Sequence, residues 1–114
     1  MAIRSPADDW PPTSADAFRS WMESGLPFAR GRLAVLNAVA EEDSEEKRRL
    51  QEIVASYAGA LRSLMPLERR VITLRREKGL TVRETRLALH ISERSVQRLE
   101  RRALQRMADF LQER

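Results

Sequence analysis

Hydrophobic residues recur at intervals of three and four along most of this 114-residue chain. That interval places side chains on one face of an α-helix, so the pattern predicts helices joined by short turns. It is clearest between residues 44 and 65, where five side chains form a continuous apolar seam: Leu50, Val54, Tyr57, Leu61 and Leu64. We therefore expect an all-α fold.

The N-terminal part predicts an arm and two helices. Residues 1–13 are rich in Pro and Asp, and we expect a flexible or extended arm there. A short helix is expected from Ser14, a good N-cap residue, to about Glu23, with Gly25 as its stop. A second helix is expected from about Phe28 to Glu41, with an apolar stripe formed by Leu33, Leu36, Val39 and Ala40.

Four large aromatic side chains fall within the first 28 residues: Trp10, Phe18, Trp21 and Phe28. We expect them to pack onto the helices that follow, because so much apolar surface is unfavourable in water. The alternative is a docking element for a polymerase or a second subunit.

The helix from residue 44 to residue 64 allows two interpretations of its seam. Its N-terminus is capped either by Ser44 or by Asp43 together with Glu46. Packing of the seam within the monomer is favoured, because three heptads are short for an independent coiled coil. A homodimer through helix 44–64 stays an open alternative.

A further helix is expected to begin at Pro66, whose missing N–H is harmless in a first turn, and to end at Gly79 in a left-handed conformation. Its expected buried face consists of Leu67, Val71, Ile72 and Leu74.

The next segment predicts a short helix and a tight turn. Thr81 and Glu84 have the spacing of a capping box for a helix over residues 82–89, His90 occupies the turn, and Ser92 caps the following helix. The candidates to pack are Val82, Leu87, Leu89 and Ile91. A short helix, a turn and a second helix make a helix-turn-helix.

The last helix, expected over residues 93–106 and somewhat beyond, has an apolar side and a polar side. The inward stripe is Val96, Leu99, Ala103, Leu104, Met107 and Leu111; the outward positions are Glu93, Arg94, Gln97, Arg98 and Arg101. Arg can bond guanine, Gln adenine and Glu the cytosine amino group. We therefore expect this helix to read the major groove of double-stranded DNA, with Arg102 and Arg106 directed to phosphates or solvent.

The charge distribution agrees with that interpretation. Residues 1–65 hold 8 Lys and Arg against 10 Asp and Glu, a net charge of −2, whereas residues 66–114 hold 13 against 7, a net charge of +6. The basic half coincides with the helix-turn-helix, as a phosphate-binding surface requires. The predominance of Arg over Lys suits bidentate contacts, although a GC-rich genome would produce it too.

Several classes of function are not expected. The chain has no cysteine, a single histidine and no Gly-rich phosphate loop, so we expect no metal site, no cofactor and no enzymatic activity. No apolar run approaches the length of a membrane span, and no signal peptide is expected. We expect a cytoplasmic, nucleoid-associated protein.

From Leu64 onward the chain resembles region 4 of bacterial sigma-70-type factors. The landmarks are Leu64, Pro66, Glu68, Arg69, Val71, Ile72, Leu74 and Arg75, then Gly79, Leu80, Thr81 and Glu84, then Ile91, Ser92, Ser95 and Val96, and finally Arg102, Ala103 and Leu104. The resemblance implies a sigma-region-4-like helix-turn-helix domain (66–114), and the helical pattern before it predicts an N-terminal segment (14–65) for partner or dimer contacts. The resemblance also implies DNA-binding residues, which are Thr81, Arg83, Glu93, Arg94, Ser95, Gln97, Arg98, Arg101 and Arg102.

The chain departs from that family at three positions. Arg86 replaces the usual Ala, Thr85 the usual aliphatic residue, and His90 the usual turn Gly. A rotation of the helix that brings Leu87 and Ala88 inward would accommodate these changes.

The leading hypothesis is a sequence-specific DNA-binding transcriptional regulator, in scale similar to small phage ArpU- and RinA-type activators, because the segment that sigma factors use to melt promoters is not expected here. RNA polymerase is a candidate partner. One alternative is a sigma-region-4 mimic that binds RNA polymerase or a sigma or anti-sigma partner without DNA. Another is a DNA-packaging subunit similar to phage small terminases.

Overall fold

The computed structural model describes residues 9–39 and 44–113. In them five α-helices follow one another: α1 (Ala15–Val39), α2 (Glu45–Arg62), α3 (Pro66–Ile72), α4 (Val82–Leu89) and α5 (Glu93–Gln112). A π-helical turn, Thr73–Glu77, continues α3. The expected all-α fold is confirmed. Within the described ranges, no helix combines the length and apolar character that a membrane span requires.

Helix α1 runs without interruption through Gly25 and Pro27, so the prediction of two helices separated there is wrong. Gly25 is buried against the indole of Trp21, where a side chain would find no room. Pro27 costs the helix one backbone hydrogen bond, because it has no N–H. The helix nevertheless buries one face on both sides of the proline: Trp21, Met22, Leu26 and Ala29. This packing outweighs the local helix-breaking signals.

The far end of α1 projects beyond the core. Leu33 and Leu36 are partly buried, as expected of the apolar stripe, but Val39 is 70% exposed. Ala40, the last residue of the predicted stripe, lies outside the described residues.

Three of the four N-terminal aromatic residues pack as expected. Trp10 lies on Trp21, with 4.4 Å between ring centroids, and Phe18 and Tyr57 complete the cluster. Phe28 is the exception, with 39% of its surface exposed. Residues 1–8 of the predicted arm lie outside the described residues, whereas residues 9–13 are held against the core through Trp10.

Helix α2 is capped by Ser44, whose Oγ accepts a hydrogen bond from the Lys47 N–H at 3.1 Å. This selects Ser44 from the two predicted caps; Asp43 lies outside the described residues. Leu50, Tyr57 and Leu64 of the apolar seam are at most 3% exposed. They share one core with side chains of α1 and α5, so the seam is covered within the monomer, as the favoured interpretation expected.

Both predicted turns of the C-terminal part are confirmed. Gly79 has a φ of +70° and His90 a φ of 58°, and both values lie in the left-handed region. The capping box is present as well. The Thr81 Oγ1 accepts from the Glu84 N–H at 3.0 Å, and a carboxylate oxygen of Glu84 accepts from the Thr81 N–H at 2.9 Å.

Helix α4 turns a different face to the core than expected. Thr85 is fully buried, whereas Leu87 is 56% exposed and Ala88 is exposed too. The prediction that Leu87 packs, and that a rotation brings Leu87 and Ala88 inward, is therefore wrong. The chain enters this helix after Leu80, whose carbonyl accepts from Arg75 Nη1, and leaves it through the left-handed turn at His90. Between these two points Thr85 takes the inward position.

In α3, Val71 and Ile72 are fully buried as predicted, but Leu67 is 39% exposed. The inward position of the first turn belongs to Glu68, which is 2% exposed and accepts a hydrogen bond from the Met65 N–H at 3.1 Å. Other residues of the C-terminal part that were predicted to pack are only partly buried: Leu74, Val82, Leu89, Ile91 and Leu99.

Candidate nucleic-acid interface

Helix α5 presents its polar side chains to solvent and its apolar ones to the core. Ser92 caps the helix, since its Oγ accepts from the Ser95 N–H at 3.0 Å. Ser95 is partly buried and its hydroxyl is bonded to that of Ser92. The other predicted DNA-contact residues of α5 are all exposed: Glu93, Arg94, Gln97, Arg98, Arg101 and Arg102.

The arginines of the exposed face differ from the others near α5 in their partners. Within the part of the chain that the structure describes, Arg94, Arg98, Arg101 and Arg102 form no ion pair. Arg106, one turn farther along, is held by Glu68 with 3.1 Å between Arg Nε and Glu Oε2. The unpaired cations thus occupy the first three turns of the helix, where an anionic partner could neutralise them.

These side chains line an open groove of about 590 Å³ along α5. Its lining residues carry guanidinium or amide groups on aliphatic stems: Arg94, Gln97, Arg98, Arg101, Arg102, Gln105 and Arg106. Such a surface suits the edges of bases and the phosphates beside them, since guanidinium and amide groups supply bidentate hydrogen bonds.

The second part of the predicted interface is the N-terminus of α4. Thr81 and Arg83 are exposed, but the Thr81 hydroxyl is committed to the capping box. The backbone N–H and the side chain of Thr81 lower the pKa of Glu84, because both hydrogen bonds stabilise its carboxylate. What α4 offers a phosphate is therefore its first backbone N–H groups and the Arg83 side chain.

A buried ionic network, which was not predicted from the sequence, supports α5 on the side that faces the core. Glu100 is 7% exposed. Its carboxylate receives hydrogen bonds from Arg75 Nε at 3.1 Å and from Arg76 Nε at 2.7 Å. Arg76 also bonds Glu23 of α1 at 3.1 Å. The signal was in the spacing, because residue 100 lies one turn after Val96 and so falls on the inward stripe.

The π-helical turn places both arginines on this carboxylate. The Lys78 N–H bonds the Thr73 carbonyl at 2.9 Å, five residues back. Arg75 Nη1 further donates to the Leu80 carbonyl at 2.7 Å, which ties the turn to the segment that enters α4. The network therefore fixes α5 relative to both α1 and α4.

The described residues contain no group of acidic and histidine side chains placed to hold a metal ion. His90 itself sits in the turn between α4 and α5.

In a comparison with protein families, residues 60–109 match the model of sigma-70, region 4. Comparisons with curated proteins and with solved structures gave no match. The matched range runs from the end of α2 to near the end of α5 and includes the capping box, both left-handed turns and the exposed face of α5. Domains of this family bind DNA and RNA polymerase. Residues 60–109 thus form a helix-turn-helix that is similar to sigma-70 region 4, a family of regulatory DNA-binding domains and not of enzymes.

Proposed function

We propose that this protein is a sequence-specific DNA-binding transcriptional regulator that reads the major groove with the first three turns of α5. The observation that carries the proposal is the set of unpaired arginines on the exposed face of that helix. By contrast, Arg75 and Arg76 are paired with Glu100, and Arg106 is paired with Glu68. Because the arginines on the exposed face are unpaired, positive potential is concentrated on the side of α5 that would enter the major groove.

Within that interface the roles divide by position. Glu93, Arg94, Gln97 and Arg98 lie nearest the N-terminus of α5 and are proposed to contact base edges. The remaining predicted residues are proposed to contact the sugar-phosphate backbone and set the register: Thr81, Arg83, Ser95, Arg101 and Arg102.

The test is selection of bound duplexes from a randomised library at about 150 mM salt, which suppresses purely electrostatic binding. An enriched motif is expected. Arg98→Ala should then cost about 1–3 kcal/mol and relax preference at one position of the motif. The control is Arg102→Ala, which should weaken binding to all sequences about equally, since a phosphate contact carries no base information.

Absence of an enriched motif would contradict the proposal. Recovery of RNA polymerase subunits in a nuclease-treated pull-down, together with that absence, would favour the alternative of a polymerase-binding protein. The similarity to small phage activators stays a prediction, as do the dimer and DNA-packaging alternatives.

A further inference from the structure

A second cavity lies beside the exposed face of α5, where four elements of the fold meet. Its volume is about 360 Å³, and its lining includes Arg19 of α1, Arg76 of the π-helical turn, Val82 of α4, and Gln97 and Arg101 of α5. Gln97 and Arg101 also line the groove along α5, so the two concave surfaces are neighbours. The N-terminal end of α1 therefore reaches the edge of the proposed DNA-reading surface.

The charge of this cavity is positive. Four arginines and two acidic residues line it, which gives a net charge of +2: Arg19, Arg75, Arg76 and Arg101 against Asp16 and Glu100. The buried carboxylate of Glu100 is occupied by two of those arginines. Arg76 is also paired with Glu23, outside the lining, so the charges around Glu100 balance. The remaining charge of +1 comes from Arg19 and Arg101 against Asp16.

Arg19 and Arg101 have donors to spare. Among the described residues Arg101 has no ion pair, and Arg19 uses one N–H on Asp16 Oδ1 at 3.0 Å. A guanidinium carries five N–H donors. The Arg19 and Asp16 side chains are 48% and 89% exposed, so solvent screens their pairing and a stronger anion can compete for the guanidinium. Val82 adds the first turn of α4, whose backbone N–H groups lack helical partners.

We propose that this cavity binds a phosphate of the DNA backbone, held between Arg19 and Arg101, so that α1 extends the interface beyond the helix-turn-helix. The occupant is DNA and not a free phosphate because the cavity adjoins the α5 groove through shared side chains. The inference rests on the proposed function, since it requires α5 to lie against a duplex.

The test is the salt dependence of DNA binding by the full chain, with and without the Arg19→Gln substitution. One lost phosphate contact should make the slope of log K against log salt about 0.9 less steep. The affinity lost by the variant should accordingly be about three- to fourfold larger at 50 mM than at 200 mM salt.

Arg32→Gln is the matched control. Arg32 lies on the same helix, is 43% exposed and has one ion pair, with Glu46 at 2.6 Å. It stands about 20 Å farther along the α1 axis, at 1.5 Å per residue, and so should leave the slope unchanged.

Asp16→Asn tests the same site in the opposite direction. Removing this exposed carboxylate releases Arg19 and removes a negative charge from the cavity, so binding should tighten and its salt slope should steepen. A folding defect cannot produce that gain. A duplex with one methylphosphonate at the contacted position should lose more affinity for the wild type than for Arg19→Gln, in which only Arg101 still contacts that position.

Equal slopes for Arg19→Gln and Arg32→Gln, in a protein that still selects a motif, would overturn this inference and leave the proposed function standing. Failure of the wild type to bind any duplex would remove both. The alternative ligand is a free phosphate ion. It is tested by titrating inorganic phosphate into the free protein and observing the Val82 and Gln97 amides by NMR. Saturation at millimolar phosphate combined with an Arg19-independent slope would assign the cavity to a free anion and overturn its assignment to DNA.

Discussion

Two glycines of α1 lie in opposite environments. Gly25 is buried, and a Cβ built on it would collide with the indole of Trp21, which is itself 3% exposed. Gly31 is exposed, and a Cβ there would meet no other atom within 4 Å. The same substitution should therefore have opposite effects at these two positions.

Gly25→Ala should lower the free energy of unfolding by about 1–2 kcal/mol. Overpacking of a buried site costs about 1–3 kcal/mol, and the better helix propensity of Ala returns up to about 1 kcal/mol. Gly31→Ala should instead raise it by about 0.4–1 kcal/mol. Urea unfolding curves with equal m-values measure both changes. A stabilising Gly25→Ala would mean that the Trp21 ring can move, contrary to its packing in the core.

Thr85 is the other residue whose side chain has a specific cost. It is fully buried, and its hydroxyl oxygen has no hydrogen-bond partner in the described structure. A buried hydroxyl without a partner costs about 1–3 kcal/mol. Thr85→Val keeps the shape and removes the polar atom, so it should stabilise the protein by about 1 kcal/mol.

Leu87→Ala serves as the comparison for Thr85→Val, because Leu87 is on the same helix but 56% exposed. It should change the free energy of unfolding by less than about 0.5 kcal/mol. Neither substitution should alter the DNA motif. A destabilising Thr85→Val, or a costly Leu87→Ala, would indicate that α4 packs with the face originally expected from its sequence.

At the scale of the element, the ends of helices were easier to predict than their buried faces. The caps at Ser44, Thr81 and Ser92 and the turns at Gly79 and His90 each depend on a few neighbouring residues, and all are confirmed. Such signals are local, so one sequence is enough to read them.

The wrong predictions concern positions where tertiary contacts determine the structure. Gly25 and Pro27 are local helix breakers, yet α1 continues because it is packed on both sides of them. Leu87 is more apolar than Thr85, yet Thr85 takes the buried position of α4. No local residue pattern predicts the π-helical turn. Its Arg76 bonds the carboxylate of Glu100, which lies 24 residues farther along the chain. The same limit applies to the candidate site, where exposed arginines were predictable but their pairing with Glu68 and Glu100 was not.

At the scale of the whole molecule, the N-terminal helices and the helix-turn-helix share one hydrophobic core. Phe18, Trp21 and Tyr57 from the first half belong to the same cluster as Leu104 and Met107 of α5. Glu100 adds an ionic link, because Arg76 joins it to Glu23 of α1. These contacts predict that both halves unfold together.

The distribution of tryptophans makes this prediction measurable, since Trp10 and Trp21 both lie in the first half of the chain. Glu100→Gln leaves Arg75, whose side chain is 20% exposed, without a carboxylate partner, and leaves Arg76, which is 14% exposed, with Glu23 alone. Breaking a buried pair in this way costs about 3–5 kcal/mol. The loss should appear equally in tryptophan fluorescence, which reports the N-terminal half, and in far-UV circular dichroism, which reports all helices.

Glu52→Gln is the control for that experiment, because Glu52 is exposed on α2 and should change the unfolding free energy by less than about 0.5 kcal/mol. If Glu100→Gln lowered the midpoint of the dichroism curve while the fluorescence curve stayed in place, the two halves would be independent units. Coincident shifts are expected instead, because α5 cannot lose its position without uncovering the core side chains of α1 and α2. The same coupling would let a partner that binds α1 or α2 alter how α5 is held, and hence how it meets DNA.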